Sequence, residues 1–192
     1  MEETGSPQWW DGISDKWREA GDDRDRPEEF KALASFIQEG PVFELGCGFG
    51  SFVKYLKEGV DYVGADISIE MVKEARNRFP DRTFLHLDFF ETTDDSFPLV
   101  FEFAVCLQTL EHFTEEQFIE VMDRLKKVAK RGLLFSIPTE RKEAHLDHRL
   151  EWLTEEAVID TFSQWGRVEL IDLPDKGKHW IGVVWYECGD DS

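Results

Sequence analysis

Cysteine is scarce and basic charge is short: three cysteines occur in 192 residues, and 22 lysines and arginines face 41 aspartates and glutamates. Cys47, Cys106 and Cys188 are odd in number, have no paired spacing, and two of them, Cys106 and Cys188, fall in apolar runs that read as strands. That pattern excludes a disulfide scaffold and fits reduced thiols in a cytoplasmic protein. The net charge of −19 repels phosphate backbones and anionic head groups, so nucleic acid and membrane surfaces are not expected partners. No apolar run approaches the roughly 18 residues that span a bilayer, and the acidic, tryptophan-bearing start lacks the basic and apolar regions of a signal peptide. Internal repeats and low-complexity tracts are absent too.

What is present is an alternation of strand and helix patterns. Strands are expected over 41–45, 60–65, 82–87, 99–107 and 132–137, with helices over 49–58, 69–78 and 114–130 between them. Such alternation implies a parallel sheet covered on both faces. Thr114 and Gln117 stand in capping-box positions ahead of an apolar stripe of Phe118, Val121, Met122, Leu125 and Val128, which reads as core. A polar connection over 138–152 leads to a helix capped by Thr154, and β-rich stretches at 167–173 and 179–187 suggest a hairpin. Ahead of the sheet, residues 8–39 read as two helices parted by a charged hinge in which Pro27 starts the second. The length suits one domain, 1–192, in three parts: a helical N-terminal segment (1–39), the strand–helix alternation (40–137) and a C-terminal segment with the terminal hairpin (138–192).

The most informative stretch is "PVFELGCGFG", residues 41–50: a short apolar strand that ends in an acid and breaks into glycines at every second position. Alternating glycines turn tightly and keep the loop amides clear of side chains, so something is meant to approach that backbone. Strand two ends in "VGAD", which puts Asp66 twenty residues after Gly46, where a carboxylate can accept both hydroxyls of a ribose. The glycines run Gly46-x-Gly48-x-Gly50, whereas a dinucleotide fingerprint needs glycine at Ser51 or Val53, which weakens a nicotinamide reading.

With "ELGCGFG", "GADIS" at 64–68, "LHLDFFE" at 85–91 and "CLQTLEHF" at 106–113, residues 40–137 resemble the class I S-adenosylmethionine-dependent methyltransferases. The resemblance implies a Rossmann-like α/β fold: a seven-stranded, mostly parallel sheet with helices on both faces and a C-terminal antiparallel hairpin. It implies S-adenosylmethionine as cofactor. Gly46, Cys47 and Gly48 would pass close to its methionine portion, Glu44 would organise the loop, and Asp66 would hold the ribose. Ile67 would cover one adenine face, Asp88 would accept from the exocyclic amine, the Phe89 amide would meet a ring nitrogen, and the Leu107 carbonyl would face the ammonium. Where many relatives have an aspartate opening strand four, this chain reads Leu99-Val100-Phe101-Glu102, a departure in which Glu102 is a candidate for that place and not an assigned replacement.

Trp10 and Trp17 fall on one face of the first helix with Trp9 beside them, either docking it or closing it as a lid over the glycine loop, with Trp10 against the cofactor. His148 and His112 are the candidate catalytic residues, since a neutral imidazole accepts a proton from a hydroxyl or amine; pairing with Glu111 is the structural alternative for His112. His145 and His148 with Asp147 between them invite a metal reading, which is set aside because no further ligand cluster accompanies them. The expected activity is methyl transfer to an oxygen or nitrogen of a small-molecule acceptor, by a monomer or homodimer. Its rivals are methylation of a protein and a catalytically silent cofactor-binding scaffold.

Overall fold

The computed structural model describes residues 5–21, 24–92, 100–139, 148–173 and 179–187. Seven strands form one sheet: β1 (Val42–Leu45), β2 (Tyr62–Asp66), β3 (Thr83–His86), β4 (Phe101–Leu107), β5 (Ala129–Pro138), β6 (Arg167–Leu170) and β7 (His179–Trp185). Their spatial order is β3-β2-β1-β4-β5-β7-β6. The first five are parallel, while β7 runs antiparallel to both β5 and β6, as the expected terminal hairpin requires. From β1 the chain winds outward to β3 and then returns to β4, so β1 and β4 flank a switch in direction, with Leu45 paired to Cys106. Ligands of open α/β sheets sit outside the strand ends at this place.

Helices α1 (Pro7–Glu19), α2 (Pro27–Ala34), α3 (Ile69–Arg78), α4 (Glu115–Val128) and α5 (Glu155–Phe162) complete the domain. One face of the sheet buries Phe118, Val121, Met122 and Leu125 of α4 with Val158 and Phe162 of α5. The other buries Phe30 and Leu33 of α2 with Val72 and Ala75 of α3. The expected capping box forms: the Gln117 amide donates to the Thr114 hydroxyl at 3.2 Å, and the Thr114 amide donates to Gln117 Oε1 at 3.0 Å. Pro27 opens α2 at its first turn, where a missing N–H costs nothing.

Two expectations are corrected. The helix expected over 49–58 is a 3-10 helix of five residues, Ser51–Tyr55, because Gly50 in the left-handed region (φ 75°) delays its start and Leu56 is already extended (ψ 145°). Phe52 and Val53 still reach the core, so the apolar spacing was real although too short to sustain an α-helix. The helix expected to run to residue 130 ends at Val128, and Ala129 passes directly into β5, where it pairs with Phe101 beside a register shift. Strand pairing overrides the helical pattern there.

Candidate functional site

At the switch point lies a cavity of about 1040 Å³. Each sequence-derived cofactor candidate contributes to its wall: Glu44, Gly46, Cys47 and Gly48 from β1 and its loop, Asp66 and Ile67 from the end of β2. Asp88 and Phe89 follow β3, Leu107 ends β4, and Trp10 comes from α1. His112 and His148 line it as well. Glu102, by contrast, sits at the start of β4 with its amide donating to the Pro41 carbonyl at 2.8 Å, away from that end of the strand. His145, Asp147 and Cys188 lie outside the described residues.

The loop is shaped by contacts on one side and open space on the other. Gly46 has φ 74°, and a Cβ there would overlap the Thr109 side chain, so the second residue past β4 is packed against the loop. Gly48 also has positive φ, 51°, but a Cβ there would meet nothing nearer than Met71 Sδ at 3.9 Å. The second glycine therefore leaves room that any other residue would partly fill.

Asp66 is 8% exposed and has a defined set of donors. Its Oδ2 accepts from the Gly48 amide at 2.8 Å and its Oδ1 from the Ser68 amide at 2.9 Å. Burial raises its pKa, and these two amides act in the opposite direction. Each oxygen keeps a second lone pair, so one amide apiece still leaves capacity for a pair of vicinal hydroxyls. Glu44 is deeper: burial pushes its carboxyl up to about 8, against a hydrogen bond donated by the Tyr62 hydroxyl and with added repulsion from Asp66. Cys47 and Cys106 are buried free thiols raised well above their ordinary value, chiefly by burial, and neither is a thiolate nucleophile at neutral pH. Asp88 caps the 3-10 turn Phe89–Glu91, its Oδ1 accepting from the Phe90 amide at 3.0 Å, so its turn-forming role is realised. The Phe89 ring stacks on Phe43 at 6.3 Å in the core, with the Arg124 guanidinium 4.2 Å above it.

Helix α1 lies against this rim. Trp10 meets the His112 ring edge to face at 4.7 Å, and Trp17 meets Phe49 at 6.4 Å. The tie that holds it is one that the tryptophan pattern did not reveal: Asp11 Oδ1 accepts from the Ser68 hydroxyl at 2.6 Å and the Glu70 amide at 3.2 Å, at the N-terminus of α3. An acid adjacent to a tryptophan stripe was the available signal, and only the fold supplies its partner. A second unforeseen network borders the cavity through Arg26, Gln108 and His179. His179 bonds Glu29 Oε1 at 2.6 Å and Arg26 at 2.7 Å, Ser136 donates to Glu29 Oε2 at 3.0 Å, and Gln108 donates to the Ser136 hydroxyl at 2.7 Å. Burial pushes the Glu29 carboxyl up, but the His179 bond and charge with Arg26 and Ser136 outweigh it, and its pKa is lowered.

Beyond the end of β4 lies the 3-10 turn Leu110–His112. The Glu111 carbonyl accepts from the amides of Arg149 at 2.7 Å and Leu150 at 3.2 Å, which brings the segment after β5 across the cavity mouth. His148 thereby reaches His112, with ring centroids 5.1 Å apart.

A glycine cradle, a buried acid at the end of β2 and a carboxylate after β3, set around the switch point of a 3-2-1-4-5-7-6 sheet, define a nucleoside-cofactor fold of the methyltransferase type. A family model described as "Methyltransferase domain" matches residues 43–134, a little under half of the chain, and the chain resembles the class I S-adenosylmethionine-dependent methyltransferases in this segment. S-adenosylmethionine is the cofactor of that family. A trans-aconitate 2-methyltransferase of Rhodopseudomonas palustris is 32% identical over 79 residues, which cover 39% of this chain and 31% of that relative's length. Among solved structures, magnesium protoporphyrin IX methyltransferase from Synechocystis PCC 6803 with bound SAH superposes with a TM-score of 0.68 at 17% identity, covering 94% of this chain and 97% of that one. A TehB-like SAM-dependent methyltransferase from Corynebacterium glutamicum gives 0.66 at 16% identity, covering 95% and 100%. Among the described residues, no helix is long and apolar enough to cross a membrane.

Proposed function

We propose that this protein transfers a methyl group from S-adenosylmethionine to an oxygen or nitrogen of a small-molecule acceptor. The observation that carries this reading is the convergence on one cavity of the open face of Gly48, the buried Asp66 carboxylate and the rings of His112 and His148. Asp66 would hold the ribose hydroxyls, Ile67 and Trp10 would cover the base and sugar, and Gly46, Cys47 and Gly48 would border the methionine portion. Asp88, the Phe89 amide and the Leu107 carbonyl would meet the polar edges of the cofactor. When bound, S-adenosylmethionine supplies an already activated methyl group on a sulfonium, so the chain's own contribution is alignment, exclusion of water and handling of one proton.

His148 and His112 are the residues placed to accept that proton or to orient the acceptor. The size of the space supports a small acceptor: about 1040 Å³ accommodates a nucleoside cofactor and one modest molecule, and Trp9, Trp10 and Trp17 of α1 contribute to its wall. The acidic surface, net −19, disfavours nucleic acid as the acceptor. Incubation with cofactor carrying a labelled methyl group, over fractionated small-molecule extracts and over protein extracts, tests the reading. Label in a small product supports it, label in polypeptide replaces it with protein methylation, and binding of cofactor without any labelled product favours a silent scaffold.

A further inference from the structure

Three side chains at the acceptor end of the cavity have metal-ligating chemistry and are held together by backbone bonds. Glu111 and His112 belong to the turn after β4, and His148 comes from the segment after β5. The Arg149 and Leu150 amides donate to the Glu111 carbonyl, so the chain positions that carry His148 and Glu111 are fastened to one another. One oxygen of Glu111 and one ring nitrogen each of His112 and His148 lie within 4.8 Å of one another. A cation bonded at about 2.0–2.2 Å to each would need those atoms roughly an ångström closer, a displacement within reach of side-chain torsions.

We propose that Glu111, His112 and His148 bind one divalent transition-metal ion, whose remaining coordination positions face the cavity and take an oxygen donor of the acceptor. Two imidazoles and one carboxylate suit Zn²⁺, Co²⁺, Fe²⁺ or Mn²⁺, whereas Mg²⁺ and Ca²⁺ prefer all-oxygen sets. The surroundings favour occupancy. Glu111 is 1% exposed, so its attraction to a cation is little screened by solvent. His112 is steadied by Trp10, edge to face at 4.7 Å, and stands with Nε2 3.9 Å from Glu111 Oε1. The set differs from the sequence cluster of His145, Asp147 and His148, because it takes two of its three members from a turn that only the fold brings near. With the ion bound, His112 and His148 serve as its ligands in place of accepting the proton, and the ion lowers the pKa of a coordinated acceptor hydroxyl. That consequence rests on the methyl-transfer reading, while metal binding itself does not.

The test is Co²⁺ titration of tag-free, chelator-treated full-length protein, followed by calorimetry and by the visible absorption of the ion, with S-adenosylhomocysteine titrated into the same preparations. The expected result is saturable uptake of one equivalent of Co²⁺, weakened tenfold or more in both His112→Ala and His148→Ala. His148→Ala should keep its S-adenosylhomocysteine affinity within about threefold, which shows that it is folded. No saturable uptake by the wild type, or wild-type Co²⁺ affinity in either variant, overturns the site. S-adenosylhomocysteine binding without Co²⁺ uptake overturns the metal site and leaves the methyl-transfer reading standing. Co²⁺ uptake of the expected kind without S-adenosylhomocysteine binding supports the metal site and overturns that reading.

Discussion

The Gly48 amide donates to Asp66 Oδ2 at 2.8 Å, joining the glycine loop after β1 to the acid that ends β2. Asp66 is therefore both a candidate ribose acceptor and a brace for the loop that borders the same ligand. Asp66→Ala should weaken S-adenosylhomocysteine binding by about 1–3 kcal/mol, the scale for losing charge-assisted hydrogen bonds. Calorimetry measures it, and an unchanged affinity would remove the acid from the site.

The two loop glycines should respond differently to the same change. Gly46→Ala places a methyl group into Thr109 at positive φ and should lower stability by at least about 1–3 kcal/mol. Gly48→Ala bears the backbone strain but meets little protein, so its loss should fall more heavily on cofactor affinity than on melting temperature. Thermal melts and calorimetry on both variants decide this. Equal effects on both readouts would mean that the space above Gly48 is not the ligand's.

Asp11 ties α1 to α3 through Ser68 and the Glu70 amide. Asp11→Ala should free α1, raising hydrogen exchange across residues 8–20 and weakening cofactor binding, because Trp10 loses its anchored position. In the wild type, exchange over the same residues should slow when S-adenosylhomocysteine is added. Equal protection with and without ligand would return the tryptophans to a plain docking role.

Glu44 predicts a pH dependence. Its folded pKa of about 8 lies above the ordinary 4.5, mainly through burial. Between those values the unfolded chain has released a proton that the folded chain keeps, so this group's contribution to stability falls as pH rises through the window and is level above it. Glu44→Gln removes that dependence and keeps an acceptor for the Tyr62 hydroxyl. The variant's melting temperature relative to wild type should therefore climb from about pH 5 to about pH 9, by roughly 2–4 °C for each kcal/mol. A constant difference over that range would contradict the assignment.

The sequence by itself determined the parts of this protein that are written in local spacing. Alternating apolar runs specify strands and covering helices, and Gly46-x-Gly48-x-Gly50 specifies a tight loop in the left-handed region. Asp66 falls at the end of the largely buried β2 because a carboxylate cannot continue into a buried parallel strand without partners. Thr114 and Gln117 announce a helix start through chemistry only three residues apart, and the cap forms as read. What needed the tertiary structure was every pairing across long separations in the chain: Asp11 with Ser68, Thr109 against Gly46, Glu29 with His179, His148 beside His112. It also decided that Ala129 joins a strand and that residues 51–55 make only a short 3-10 turn. The physical reason is that propensity and periodicity act over one or two turns. A hydrogen bond or ring contact between residues tens of positions apart exists only once strand order has brought their elements together, and strand order is set by the packing of both sheet faces at once.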